Sequence, residues 1–250
     1  MFKIGDYVTR NKHGNDIVFK IIKIDKEKIY LKGVEVRLLA DSNKEDLKIC
    51  KNCKKKVLNE KLRNLDTSKY FYIPGIILHL DTDSEYLERC LDYYKKQNIK
   101  SYGYYYYPEK FKDNINLLLE KHKPNILVIT GHDAYYKNKK EYKNSKYFIE
   151  TVKEARKKIK NHNELIIISG ACQSNYEGLM ESGSTFASSP KHINVHALDP
   201  AIIAAYMALL DKNQIENIEE VLNKTEYGSS GYGGIITNGM MVCGYPRKED

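Results

Sequence analysis

No stretch of this 250-residue chain approaches the roughly 18 consecutive apolar residues that a membrane-spanning helix needs. With 42% hydrophobic and 30% charged residues, the chain has the composition of a soluble globular protein rather than a disordered one. Cysteine is scarce. The five at positions 50, 53, 90, 172 and 243 form an odd, sparse set, unlike the dense even frameworks of small secreted domains, so reduced thiols are expected. Cys50-x-x-Cys53 supplies two of the four ligands a structural zinc site needs, and there is no second pair; neither a metal nor a cofactor is expected. The glycine-rich stretch 228–234 lacks the Gly-Lys-Ser/Thr ending of a phosphate-binding loop and reads instead as a flexible lid or substrate-binding segment. No apolar run of about 7 to 15 residues follows Met1, so no secretory signal is expected and the cytoplasm is the default compartment. No internal repeat is evident.

The 41 Lys and Arg against 33 Asp and Glu leave a formal charge of +8. The excess is spread through a chain rich in Lys, Asn, Ile and Tyr, which reads as solvated surface; nucleic acid is not the expected partner. Residues 2–48 contain short β-type runs at 7–10, 17–24, 28–31 and 34–39, separated by turn residues, and predict a small N-terminal β-barrel. A charged stretch, 49–70, reads as an exposed linker. From 71 to 250 apolar runs alternate with amphipathic segments, the pattern of a mostly parallel sheet flanked by helices. Strands are expected at 73–80, 101–107, 126–130, 165–169 and 193–196. Helices are expected at 84–96, 111–121, 145–160, 176–181, 200–210 and 214–223. In such sheets ligands bind beyond the carboxyl ends of the strands.

Two of the most apolar strands end in reactive residues. Ile126-Leu127-Val128-Ile129-Thr130 runs into Gly131-His132-Asp133, and Leu165-Ile166-Ile167-Ile168-Ser169 runs into Gly170-Ala171-Cys172-Gln173-Ser174. Parallel strands bring both ends to one rim, so His132 and Cys172 are expected side by side. An imidazole within hydrogen-bond reach of a thiol generates the thiolate that attacks a carbonyl. Gly131 and Gly170 permit sharp turns there, and the Cys172 amide can donate to a developing oxyanion. A buried structural cysteine is the plainer reading of Cys172 alone; the joint occurrence with His132 favours a catalytic pair.

The segment Gly170 to Ser174 shares Ala, Cys and Gln with the caspase-type signature, with a strand-borne His upstream. Gly170 and Ser174 depart from that signature, as does Asp133 where caspases have Gly. The whole chain resembles the YabG family of sporulation proteases of spore-forming Firmicutes. The resemblance is carried by Phe2-Lys3-Ile4-Gly5-Asp6, by Val34-Glu35-Val36-Arg37-Leu38-Leu39-Ala40-Asp41-Ser42 and by Leu78-His79-Leu80-Asp81. It continues through Ile129-Thr130-Gly131-His132-Asp133-Ala134, Phe186-Ala187-Ser188-Ser189-Pro190 and His196-Ala197-Leu198-Asp199-Pro200. It implies a caspase-like cysteine endopeptidase that acts on spore coat and spore assembly proteins in the mother cell, later associated with the spore, and that prefers a basic residue before the cut. It also implies the Asp133 backbone amide as second oxyanion donor and, in the loop after the first strand, Asp81 or Asp83 as the substrate-binding carboxylate. One of that pair, more readily Asp83, can instead cap the helix expected from Ser84.

Two rival readings stay open. Gly170-x-Cys172 before a short helix resembles a nucleophile elbow, with His196 and Asp199 downstream as in amidotransferases. The N-terminal unit and the basic balance also suit a non-enzymatic module that binds nucleic acid or coat protein.

Overall fold

The computed structural model describes residues 2–26, 28–51, 62–136, 138 and 140–246. Its contacts divide the chain into two units, 1–58 and 59–250. The smaller unit is an antiparallel sheet of β1 (Tyr7–Arg10), β2 (Phe19–Asp25), β3 (Lys28–Gly33), β4 (Leu39–Asn43) and β5 (Leu47–Ile49). Its order is β4-β3-β2-β1-β5, so β1 pairs with both its sequence neighbour and the last strand. One face buries Val8, Phe19, Ile21, Ile29 and Leu31. The run 34–39 is not a strand: β4 begins at Leu39 and is mostly polar, and β5 has three residues, which is why neither stands out as alternating apolar sequence. Cys50 is disulfide-bonded, contrary to the expectation of a thiol, because a sparse cysteine set excludes a framework but not a single pairing. Cys90, Cys172 and Cys243 carry thiols. Cys53 lies outside the described residues.

In the larger unit β6 (Phe71–Ile73) leads to the main sheet through β7 (Ile77–Asp81), α1 (Ser84–Lys96), β8 (Ser101–Tyr105), α2 (Phe111–His122) and β9 (Ile126–Thr130). A hairpin of β10 (Tyr135–Tyr136) and β11 (Glu141–Tyr142) follows, then α3 (Ser145–Lys158), β12 (Ile166–Ser169), α4 (Tyr176–Glu181) and β13 (Phe186–Ser188). The chain closes with α5 (Asp199–Ala208), α6 (Ile218–Leu222), β14 (Tyr232–Gly234) and β15 (Val242–Gly244), which pairs with β6. The main sheet runs β14-β13-β12-β9-β7-β8, with β14 antiparallel and every other neighbouring pair parallel.

Every residue of β7, β9 and β12 is buried, as strands covered on both faces must be, and this is why they read as unbroken apolar runs. Leu78, Leu80, Leu127, Ile129 and Ile167 face α2, α3 and α4 through Phe111, Ile115, Phe148, Val152 and Leu179. Helices α1 and α5 contact β7, β9 and β12, and α5 is buried along its whole length. The expected strand at 193–196 does not form, since 193–195 are irregular and 196 is a single bridge residue ahead of the turn into α5; the strand on that side is β13, three residues long and containing Ala and Ser. Residues 228–234, expected to be a flexible lid or substrate-binding segment, form a 3-10 turn and the edge strand β14. In the stretch read as linker, Arg63 donates to Tyr206 and Glu216 at 3.0 and 2.9 Å. No helix among the described residues is long and apolar enough to cross a membrane.

Phe148 is fully buried on α3, its ring 6.1 Å from that of Phe111. Phe148→Ala is expected to lower unfolding free energy by about 3 to 5 kcal/mol, whereas Leu117→Ala, on the exposed face of α2, should shift it by under about 0.5 kcal/mol. Urea denaturation midpoints at unchanged slope are the measure; equal effects would contradict this placement of the core.

Candidate active site

The site is set by register. Asp81 of β7 pairs with Thr130 of β9, and Ile129 of β9 pairs with Ser169 of β12, so Asp81, Thr130 and Gly170 form one rank across three adjacent strands. The Gly170 N–H donating to the Ile129 carbonyl at 3.0 Å continues that ladder. Asp83, His132 and Cys172 each lie two residues beyond the rank, at the carboxyl-terminal rim.

Two glycines make the turns possible for different reasons. Gly170 has φ +103°, a conformation that L side chains avoid. Gly131 does not have positive φ; a Cβ there would strike the Thr82 side chain, whose Oγ1 accepts from the His132 N–H at 3.1 Å. Beyond Gly170, Gln173, Ser189 and His192 adopt left-handed φ values of 57°, 68° and 51°. Such residues concentrated in the loops around one thiol are strain of the kind that functional sites hold.

Among the residues singled out from sequence, the structure brings Asp83 and His132 into direct contact: His132 Nε2 lies 2.9 Å from Asp83 Oδ2, with the side chains 14% and 12% exposed. Asp83 Oδ1 accepts from the Glu85 and Tyr86 N–H groups at 3.1 and 3.2 Å, so Asp83 is also the N-cap of α1. The Tyr86 ring packs 5.7 Å from the imidazole. Asp81 is fully buried; Oδ1 accepts from the Asp83 N–H and Oδ2 from the Thr130 hydroxyl, both at 2.9 Å. Behind it His79 bridges Thr130 Oγ1 at 2.8 Å and the Tyr94 hydroxyl at 3.0 Å. Cys172 sits beyond β12, the strand next to that of His132. It is fully buried, its Sγ accepting from the Val195 N–H at 3.2 Å.

His196 and Asp199 lie in the turn that starts α5. His196 Nδ1 accepts from the Leu198 N–H at 3.2 Å, while Asp199 takes the His196 N–H on Oδ2 and the Glu226 N–H on Oδ1, each at 3.0 Å.

Sequence reasoning used Asp133 only for its backbone; its side chain is the junction of the site. The buried carboxylate accepts from the Ala134 and Asn144 N–H groups at 2.9 and 2.7 Å, from Ser174 Oγ at 3.0 Å and from Ser145 Oγ. Ser174 Oγ in turn accepts from the Ala171 N–H at 2.9 Å, Ser145 Oγ from the Asn175 N–H at 2.9 Å, and Asn144 Nδ2 donates to the His132 carbonyl at 2.7 Å. The loops carrying His132 and Cys172 and the start of α3 are thus tied to one carboxylate. Burial pushes its pKa above the usual carboxylate range, against the opposing pull of its donors. The Asp133 N–H makes no hydrogen bond among the described residues. The one local clue was Ser174, which stands where a caspase-type signature has Gly. Nothing in sequence linked it to residues 41 and 29 positions earlier.

The profile of the YabG peptidase family U57 matches residues 3–69 and 50–246. A relative from Bacillus subtilis strain 168, the sporulation-specific protease YabG, is 40% identical over 288 aligned positions that cover 100% of this chain and 99% of the relative. An α/β sheet with histidine and cysteine at adjacent strand ends is thus the sheet of a peptidase. The chain belongs to the YabG peptidase family U57.

Asp133→Ala leaves four donors without their acceptor in a buried junction. It is expected to cost about 3 kcal/mol of stability or more and to raise hydrogen exchange at Ala134, Asn144 and Asn175. Unchanged exchange at these amides would contradict the junction.

Proposed function

We propose that the protein is a cysteine endopeptidase of sporulation in which Cys172 is the nucleophile and His132 its base. The observation that carries this reading is the equal rank of the two residues on adjacent strands of a peptidase-family chain. His132 takes the Cys172 proton, and the thiolate attacks the scissile carbonyl carbon. Charge then builds on the carbonyl oxygen, for which the Cys172 and Asp133 amides are the donors; the Asp133 N–H, bonded to nothing among the described residues, supports that assignment. Collapse of the intermediate expels the amine, which His132 protonates, leaving a thioester. Water, deprotonated by His132, hydrolyses the thioester and restores the thiol. Because Sγ is fully buried and exchanges hydrogen bonds with the Val195 backbone, substrate entry requires the 193–195 segment to give way.

The strand order, with the histidine strand beside the cysteine strand, supports the caspase-like form of this fold. The pairing of β1 with both β2 and β5 supports a barrel at the N-terminus. The name of the Bacillus subtilis relative supports a role in sporulation, with coat and assembly proteins as substrates in the mother cell. Cleavage after Arg or Lys is the finer reading, and Asp81 and Asp83 are its candidate carboxylates. Asp81 is sealed, and Asp83, the more accessible of the two, already accepts hydrogen bonds on both oxygens, from the first amides of α1 and from His132.

Cleavage of a peptide library by wild type, Cys172→Ala, His132→Ala and His196→Ala tests the pair. The first two variants should lose about 10⁴-fold or more in kcat/KM while folded by circular dichroism, and their losses should not add. His196→Ala should remain within about tenfold of wild type. An inactive His196→Ala beside an active His132→Ala would replace this pair with Cys172, His196 and Asp199.

A further inference from the structure

We infer that Asp83 is the positioning residue of His132, holding the imidazole so that its other nitrogen, Nδ1, receives the Cys172 proton. The inference rests on the Cys172–His132 reading and adds a third member to it. A carboxylate only accepts hydrogen bonds, so the 2.9 Å contact from Asp83 Oδ2 puts a proton on His132 Nε2 and leaves Nδ1 as the basic nitrogen of the neutral ring.

Both partners of that contact are held. The Asp83 carboxylate is anchored through Oδ1 to the first amides of α1, and its backbone N–H is tied to Asp81. His132 is fixed through its N–H to Thr82 and through its carbonyl to Asn144, with Tyr86 against the ring. The loop after β7 and the loop after β9 are further joined by the Thr82 N–H donating to the Thr130 carbonyl at 3.2 Å. The carboxylate also faces the positive charge that appears on the ring once the thiol proton is transferred, in a site screened from most solvent. Each Asp83 oxygen therefore already has a partner, which separates this role from that of a specificity carboxylate waiting for a guanidinium.

Two substitutions isolate the contact from the cap. Asn and Ser both serve well at an N-cap, so Asp83→Asn and Asp83→Ser preserve the start of α1. Asn either turns its N–H₂ to the ring, which favours the wrong tautomer, or its neutral oxygen, which lacks the charge that steadies the imidazolium. Ser is too short to reach it. Replacing the orienting Asp of a Ser-His-Asp triad with Asn lowers kcat about 10⁴-fold. Here Asp83→Asn is expected to lower kcat about 10²- to 10⁴-fold and Asp83→Ser about 10- to 100-fold. KM and the ratio of activity on matched Arg and Ala peptides should stay within about threefold, and both variants should melt near wild type. Ring ¹⁵N shifts of His132 should report Nε2–H in wild type and loss of that preference in Asp83→Asn.

Both variants turning over at the wild-type rate would leave Asp83 as a helix cap only and overturn the inference. A tenfold fall in the Arg-to-Ala ratio with Ala-peptide turnover intact would overturn it in favour of a specificity pocket. Cys172→Ala, assayed alongside, separates the two levels: activity there overturns the catalytic pair and this inference together. An inactive Cys172→Ala beside fully active Asp83 variants overturns this inference alone.

Discussion

Parallel pairing fixes height, and height is what this site depends on. Once Asp81, Thr130 and Gly170 share a rank, the residues two steps beyond them emerge together whatever their separation in sequence. The strands that impose the rank are among the most deeply buried parts of the chain, so the rim inherits the rigidity of the core. A slip of one residue in either ladder would turn inward-facing leucines and isoleucines to the wrong helix layer. The packing of Phe148, Val152 and Leu179 against one face makes such a slip costly.

Register sets height but not the direction of loops, and buried polar groups do the rest. Asp133 gathers donors from three segments, and Asp81 gathers the Thr130 hydroxyl and the Asp83 amide. Neither carboxylate is an isolated buried charge; each has hydrogen-bond donors of the kind that make burial tolerable. The two junctions lie on either side of His132, one reached through the Asp83 loop and the other through the Asn144 contact to its carbonyl. The imidazole is therefore held through its ring as well as through its backbone on both sides. The thiol is buried against the Val195 backbone, between loops that hold the left-handed residues Gln173, Ser189 and His192.

Much of this was legible in sequence, and the illegible part has a physical pattern. β9, α1 and α4 begin and end where their apolar runs, caps and turns said they would, because local propensity and burial agree there. Ile193-Asn194-Val195-His196 alternates like a strand, yet Asp199 captures the His196 amide and turns the chain into α5. β13 was missed because Phe186-Ala187-Ser188 carries too little β-type signal to stand out, and its place is set by β12 beside it. At the site, the cap formed by Asp83 was foreseeable from the three residues that follow it. Its contact with His132 spans 49 positions and exists only because two strands align. The Asp133 junction is of the same kind, a long-range convergence of hydroxyls and amides that single-residue chemistry does not announce.

The most direct measurement on Cys172 is covalent trapping. A peptidyl acyloxymethyl ketone with arginine next to its electrophilic carbon can be incubated with wild-type protein and with His132→Ala, and the adduct located by mass spectrometry after digestion. The expected result is one adduct, on Cys172, formed in step with loss of peptidase activity and absent from His132→Ala, with Cys90 and Cys243 unmodified. Loss of activity with Cys172 unmodified, or labelling of Cys172 undiminished by removal of His132, would contradict the catalytic pair.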